Sequence, residues 1–308
     1  MAQTIAAFLR CPRCGNENTA DSFTCSFCGF RLKIERIENI SFFRRFEKEW
    51  TNPAPWYKKI LYLFINPSKA FWDINHRRRS APGWLILLFS SLLYGLMGLA
   101  FLSHFNFNVP GRDWPLSIIF NLSFFITFFA FGFFFQLIFF AILIWLFTKG
   151  ANLAVGFSER LETRFGKMAE KKEKYKEVDI SPFSIYKGGT MLHIEGSHKF
   201  KMMLCAFAPF LIINAIKILI ILAGFPTVNV PNITDFNEEI LDQLFDSPSW
   251  SVLDILDAII IASWIPILMT FAIRELSNCS TTRVLIATII IGVIVAVVFY
   301  FLRPTLLG

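Results

Sequence analysis

The sequence predicts an all-α integral membrane protein, a five-helix transmembrane bundle, and three observations carry that prediction. Five apolar runs, at 84–103, 116–147, 202–225, 252–273 and 284–302, each reach the roughly 20 residues needed to cross a hydrocarbon core. Basic residues are sorted between the runs: of 30 Lys and Arg, 14 precede the first run and 11 lie in 149–201. By contrast, 225–250 holds no base and carries Asp235, Glu238, Glu239, Asp242 and Asp246. The composition agrees, at 55% hydrophobic with a mean hydropathy of +0.52 over 308 residues. With this much apolar chain in lipid, the parts exposed to water must be small.

The positive-inside rule turns that charge sorting into an orientation. The N-terminus is expected in the cytoplasm, the chain crosses five times, and the C-terminus ends outside. The membrane is the cell membrane if the chain is prokaryotic and a Golgi or ER membrane if it is eukaryotic. No signal-peptide pattern stands at the start of the sequence, so the first span is expected to serve as the targeting signal. The formal charge of +7 is accounted for by loops facing a membrane, which makes nucleic acid an unlikely partner.

Ahead of the spans lies a compact cysteine pattern. Residues 11–15 read Cys-Pro-Arg-Cys-Gly and residues 25–29 read Cys-Ser-Phe-Cys-Gly, with a polar loop between them. Two Cys-x-x-Cys pairs at this spacing place four thiolates, from Cys11, Cys14, Cys25 and Cys28, tetrahedrally around Zn²⁺. Gly15 and Gly29 permit the tight turns that aim backbone N–H groups at sulfur. Residues 1–32 are therefore expected to form a zinc ribbon. A module this short cannot fold on apolar burial, so the metal is structural and supplies the folding free energy. Four sulfur ligands leave no open position for catalysis.

Residues 33–80 are basic and aromatic but too short in apolar content to cross. Phe42, Phe43, Phe46 and Trp50 fall at helical spacing, with Arg44, Arg45 and Lys48 on other faces. That pattern predicts an amphipathic helix at headgroup level. A second helix is expected from Trp56 to Ile65, with Lys58 and Lys59 toward the headgroups. Asn66-Pro67 should end it and start a third, with Asn66 as cap and Pro67 in the first turn, carrying Phe71, Trp72 and Ile74. Arg77, Arg78 and Arg79 then stand beside anionic lipid heads.

Residues 81–308 form the five-span domain, interrupted by a charged cytoplasmic insertion at about 157–187. Within the insertion, 158–178 mixes Glu and Lys at helical spacing and reads as a solvated helix. The second run is overlong, and either projects from the membrane or bends near Gly132. Pro209 and Pro266 should interrupt spans three and four. Ionisable residues inside spans merit a functional reading. Lys217 in span three and Asp257 in span four are expected at similar depth. With Asn214 and Asp254 they form an intramembrane polar cluster, read as a structural ion pair or as a half-buried site for an ion, proton or headgroup.

Three stretches resemble the Yip family of Ypt-interacting membrane proteins. One is Asn66-Pro67-Ser68-Lys69-Ala70-Phe71-Trp72-Asp73-Ile74 before span one. Another is the glycine-rich approach to a proline-bearing third span, Gly188 to Pro209. The third is Ile273-Arg274-Glu275-Leu276-Ser277 through Arg283 to Ala287, between the last two spans. The zinc-ribbon prefix is similar to that of prokaryotic, particularly archaeal, Yip-domain proteins. The Asp-Leu-Tyr-Gly-Pro stretch of eukaryotic trafficking members is absent. The resemblance implies a non-enzymatic membrane scaffold.

Taken with the absence of a Ser/His/Asp set, an HExxH helix or a phosphate loop, the sequence points to a scaffold or adaptor, not an enzyme. Its expected partners are the lipid bilayer and a cytoplasmic protein, with homo-oligomerisation open. The alternative is a small transporter or channel using Lys217, Asn214, Asp254 and Asp257.

Overall fold

A computed structural model describes residues 8–25, 28–46, 54–76, 81–107, 114–157, 195–230 and 247–307. The predicted Trp50, the arginines Arg77, Arg78 and Arg79, and the solvated helix at 158–178 lie outside the described residues. Among those residues the protein is mostly helical, and five helical stretches are long and apolar enough to cross a membrane. They are Gly83–Leu102, Ile118–Val155, His198–Gly224, Pro248–Ser277 and Thr281–Phe301, spans one to five.

In chain order, β1 (Phe8–Arg10) and β2 (Glu17–Thr19) pair antiparallel in the cysteine module. A 3₁₀ turn follows at Arg36–Asn39, then α1 (Trp56–Ile65) and α2 (Pro67–His76). Helix α3 (Gly83–Leu102) is span one, and β3 (Phe105–Phe107) leaves it. Helix α4 (Trp114–Val155) runs unbroken through Gly132 and is span two. Span three is α5 (Glu195–Leu204), a 3₁₀ turn at Cys205–Phe207, and α6 (Pro209–Gly224), followed by β4 (Val228–Val230). Span four is α7 (Pro248–Ile259), a π-turn at Ile260–Trp264, and α8 (Ile265–Ser277); α9 (Thr281–Leu307) is span five.

The two span prolines act as expected, each in its own way. Pro209 cannot donate a backbone hydrogen bond, and the chain ahead of it tightens into the 3₁₀ turn before α6 restarts with Pro209 in its first turn. Pro266 stands at the start of α8, and the turn before it widens instead into the π form.

The chain forms two compact units. The first comprises Met1–Gly83, Ile144–Ala206 and Pro266–Ile291, and the second Trp84–Leu143, Phe207–Ile265 and Gly292–Gly308. In the second, spans one and two approach closely because glycines remove side-chain bulk. A Cβ at Gly98 would lie 2.4 Å from Phe128 Cγ, and one at Gly132 would lie 2.7 Å from Tyr94 Cβ. Gly132 is thus a packing position and not a bend. The loops after spans one and three meet as a parallel pair, Phe105 opposite Val228 and Phe107 opposite Val230. This pair was not foreseen, because strands of three residues carry too little alternation to register in sequence.

In the first unit, residues 42–46 and helix α2 depart from the interfacial role predicted for 33–80. No α-helix forms over 42–46. The Phe42 and Phe43 rings instead pack on Phe271, at centroid distances of 5.5 Å each, and Phe46 packs on Trp72 at 5.1 Å. Arg45, expected among lipid heads, is 3% exposed. Apolar burial inside the protein outcompetes the bilayer surface for these rings. Helices α1 and α2 form as predicted, and Lys69 N–H donates to the Asn66 side chain at 3.2 Å. However, Phe71, Trp72 and Ile74 of α2 are buried, turned into the core and not onto lipid.

Candidate metal centre and its docking seam

The cysteine module repeats one local device twice. Gly15 N–H donates to Cys11 O at 2.8 Å and Gly29 N–H to Cys25 O at 3.0 Å, each glycine at φ +71°. Cys11 N–H then donates to Asn16 O at 2.9 Å and Cys25 N–H to Phe30 O at 2.8 Å. A left-handed residue at this position reverses the chain within one turn, so both thiols of a pair face the same point.

The four sulfur atoms lie within 4.8 Å of one another, with Cys11 to Cys28 at 3.5 Å and Cys14 to Cys25 at 3.6 Å. A tetrahedral metal–sulfur site with bonds near 2.3 Å has sulfurs about 3.8 Å apart. The donor set therefore fits a tetrahedral thiolate-bound cation. Burial pushes the Cys28 thiol up to about 12, against a lowering backbone hydrogen bond from Phe30. An ion entering here must displace protons from sulfur.

The module does not stand free. Asn278, in the turn between α8 and α9, accepts from Thr24 N–H at 2.9 Å and Thr24 Oγ1 at 2.8 Å, and donates to Thr24 O at 2.7 Å. Thr24 directly precedes the ligand Cys25. Asn278 sits at φ +52°, a left-handed conformation that asparagine tolerates better than most side chains.

Beside this contact runs a buried polar seam. Arg45 Nε donates to Glu38 Oε1 at 2.7 Å, and Arg45 Nη2 donates to Cys279 O. Thr281 Oγ1 donates to Glu38 Oε1 at 2.9 Å. Arg274, fully buried, donates to Phe43 O at 2.6 Å and Ser68 Oγ at 2.7 Å, and its guanidinium lies 4.5 Å over the Phe271 ring. Arg274 stands in the third Yip-like stretch, yet it acts within the protein, tying the 33–76 segment to α8.

Glu35 completes the seam at the start of α9. Its carboxylate accepts from Thr281 N–H at 2.7 Å, Thr282 N–H at 3.1 Å and the Ser280 hydroxyl. Ser280 Oγ accepts from Arg283 N–H at 3.3 Å. A capping box needs an acid at the third helical position, where this chain has Arg283. Glu35 supplies the missing carboxylate from 246 residues away in sequence. Neither the Ser280 cap nor its acidic partner was predicted, and the origin of the partner depends on tertiary docking.

The predicted headgroup lysines separate. Lys58 is exposed, as the prediction requires. Lys59 is fully buried and paired with Asp73 Oδ2 at 3.1 Å, so it does not reach lipid heads. The reason is helical geometry: neighbours on a helix lie about 100° apart, and α1 turns Lys59 and Leu63 toward α2. Tyr57, Leu61 and Ile65 are left exposed on the outer side. This helix is amphipathic in the inverted sense, with a cation inside and apolar groups outside.

The intramembrane cluster also divides. Lys217 Nζ donates to the Asp257 carboxylate as predicted, and both side chains are largely buried. Asn214 turns away from that pair and donates to Ser90 Oγ on span one at 3.0 Å. Asp254 is half-buried one turn before Asp257 on α7. Comparison with known proteins finds no matching family model, no similar curated protein and no similar solved structure, so the likeness to the Yip family rests on the short motifs and the span count.

Proposed function

We propose that this protein is a non-enzymatic membrane adaptor of Yip-like type, whose zinc ribbon is held against the last helix turn to form a rigid cytoplasmic recruiting surface. One observation carries the reading: the module is seated through Thr24, and the segment directly after it through Glu35, Glu38 and Arg45, on the turn between spans four and five. A passive cap needs no such buried seam. A flexible tether to a separate reader domain needs none either.

Two further features support it. The ribbon shares its compact unit with the start of spans one, three and five, while the β3–β4 pair at the far ends of spans one and three belongs to the other. The sorting of basic residues in the sequence assigns the ribbon's side to the cytoplasm. The exposed Tyr57, Leu61 and Ile65 of α1 suit a helix lying on the same side of the bilayer, with Lys58 at headgroup level. Zinc is the cation that four thiolates at this spacing favour.

Proximity labelling from the full-length protein tests this, comparing wild type with a Cys25→Ser/Cys28→Ser variant. Cytoplasmic proteins labelled by wild type and lost in the variant are the expected result. Identical labelling by both, or labelling from the outer face, would overturn it.

A second reading, a transporter, has the buried Lys217–Asp257 pair and the adjacent π-turn in its favour, since π-turns recur at functional sites. Against it, Asn214 is engaged by Ser90 on span one and not by the Lys217–Asp257 pair. Solute flux in reconstituted vesicles that vanishes in Lys217→Met would favour it over the adaptor.

A further inference from the structure

The metal centre and the start of the last span are joined by a short chain of bonds, and the order of residues along it is informative. Thr24 is covalently next to Cys25, and its backbone is fixed from two sides: by the turn that presents the Cys25 thiol and by the bridge between Thr24 and Arg31 that closes the second cysteine loop. Asn278 reads that backbone in one pose, because its carboxamide must meet the N–H and the C=O of the same residue. Among the described residues of this module, the buried apolar side chains are those of Cys11 and Cys25 themselves. Its conformation therefore depends on the ion.

Residues that follow the second cysteine pair reach the same turn. Glu35 lies seven positions after Cys28 and caps Thr281 and Thr282, while Arg45 holds Cys279 O. Phe23, directly before Thr24, lies 5.1 Å beneath the Arg45 guanidinium. Cys279 is fully buried under this arrangement. The turn has local bonds of its own, Asn278 N–H to Arg274 O at 2.8 Å and Ser277 Oγ to Cys279 Sγ at 3.0 Å, but Asn278 is left-handed and the first N–H groups of α9 rely on Glu35 and Ser280.

We propose that thiolate-bound metal operates a clamp on the turn between spans four and five, so that occupancy of Cys11, Cys14, Cys25 and Cys28 sets whether residues 278–282 are closed or open. The ligand class is a thiophilic tetrahedral cation such as Zn²⁺. This rests on the docked-ribbon reading above and adds to it that the docking responds to the ion. Loss of metal frees the Thr24 backbone, Asn278 loses both of its partners there, and the Glu35 cap and Cys279 become accessible to water.

The test uses the full chain in lipid nanodiscs, either zinc-loaded or stripped with a chelator. It follows alkylation of Cys279 peptide by peptide and amide exchange at Thr281 and Thr282. The expected result is about tenfold or greater acceleration at all three positions on stripping, reversed by added Zn²⁺. An Asn278→Ala variant should show the same opening while four-thiolate Co²⁺ absorption at the ribbon is retained. Protection unchanged by stripping overturns the clamp, as does Asn278→Ala protein that stays closed. Because neither readout involves a partner, a metal-insensitive turn sinks the clamp without touching recruitment, and loss of recruitment alone leaves the clamp standing.

Discussion

The Asn278 carboxamide bonds to both backbone groups of Thr24, a residue 254 positions away, and thereby stands in for a strand neighbour at the edge of the cysteine module. Its backbone is left-handed at φ +52°. Two penalties follow from removing it, and they separate. Asn278→Ala loses the three bonds to Thr24 and a longer one from Arg45 and also strains the backbone, while Asn278→Gly loses the same bonds and relieves the strain. Each unmade buried bond costs about 1 kcal/mol net. The glycine variant is therefore expected to be the more stable of the two by ~1 kcal/mol. Thermal unfolding of both in the same detergent decides this; equal midpoints would mean that the conformation of the turn carries no strain.

Adjacent lysines are expected to behave oppositely. Lys58 is exposed, so Lys58→Ala should change stability by less than about 0.5 kcal/mol. Lys59 is buried against Asp73, and Lys59→Ala removes the cation from that buried pair. Breaking one side of such a pair costs ~3–5 kcal/mol. Denaturation of the two variants side by side checks the contrast. A Lys59→Ala protein as robust as Lys58→Ala would return Lys59 to the headgroup role that the sequence predicts.

Those lysines show where sequence is a sufficient guide and where it stops. The five spans, the cysteine knuckles, the Asn66 cap and the Lys217–Asp257 pair are set by local spacing or by helix rise, and each is legible from residue order. The fate of Phe42, Phe43 and Arg45 is not, because aromatic and basic residues at helical spacing suit a bilayer surface and a protein surface equally well. Only the presence of Phe271, Glu38 and Cys279 opposite them decides it. Asn214 illustrates the same limit: it is one turn from Lys217, but its amide donates to the Ser90 hydroxyl on span one. The Glu35 cap is the extreme case, since no local pattern places a carboxylate at a helix that starts 246 residues later.

The Lys217–Asp257 pair joins spans three and four, and its role is separable by double substitution. Lys217→Met strands the Asp257 carboxylate, and a destabilisation of ~3 kcal/mol is expected. Adding Asp257→Leu removes the stranded charge and should restore most of the loss, with a coupling energy of ~1–3 kcal/mol. Unfolding of the single and double variants in detergent measures it. If the double variant is no better than the single, the two groups do not form a structural unit, and an ion-handling role gains ground.

Metal affinity at the cysteine module should depend steeply on pH, and the sign follows from Cys28. Its thiol in the metal-free fold is pushed up to about 12 by burial, above the unperturbed value near 8.5. The thiol is therefore protonated at neutral pH, and an incoming cation must release that proton. Affinity is expected to rise by about tenfold per pH unit for the proton that Cys28 releases, throughout the range below 12. Acid accordingly strips the metal. For the metal-free module the linkage runs the other way: its contribution from Cys28 is fully present below about 8.5 and is lost as pH rises toward 12, because the unfolded chain ionises first. Competition titrations with a chromophoric chelator between pH 6 and 8 measure the slope. A flat profile would mean that the thiols are already ionised before the metal arrives, and that the field at the site is more positive than its neighbours imply.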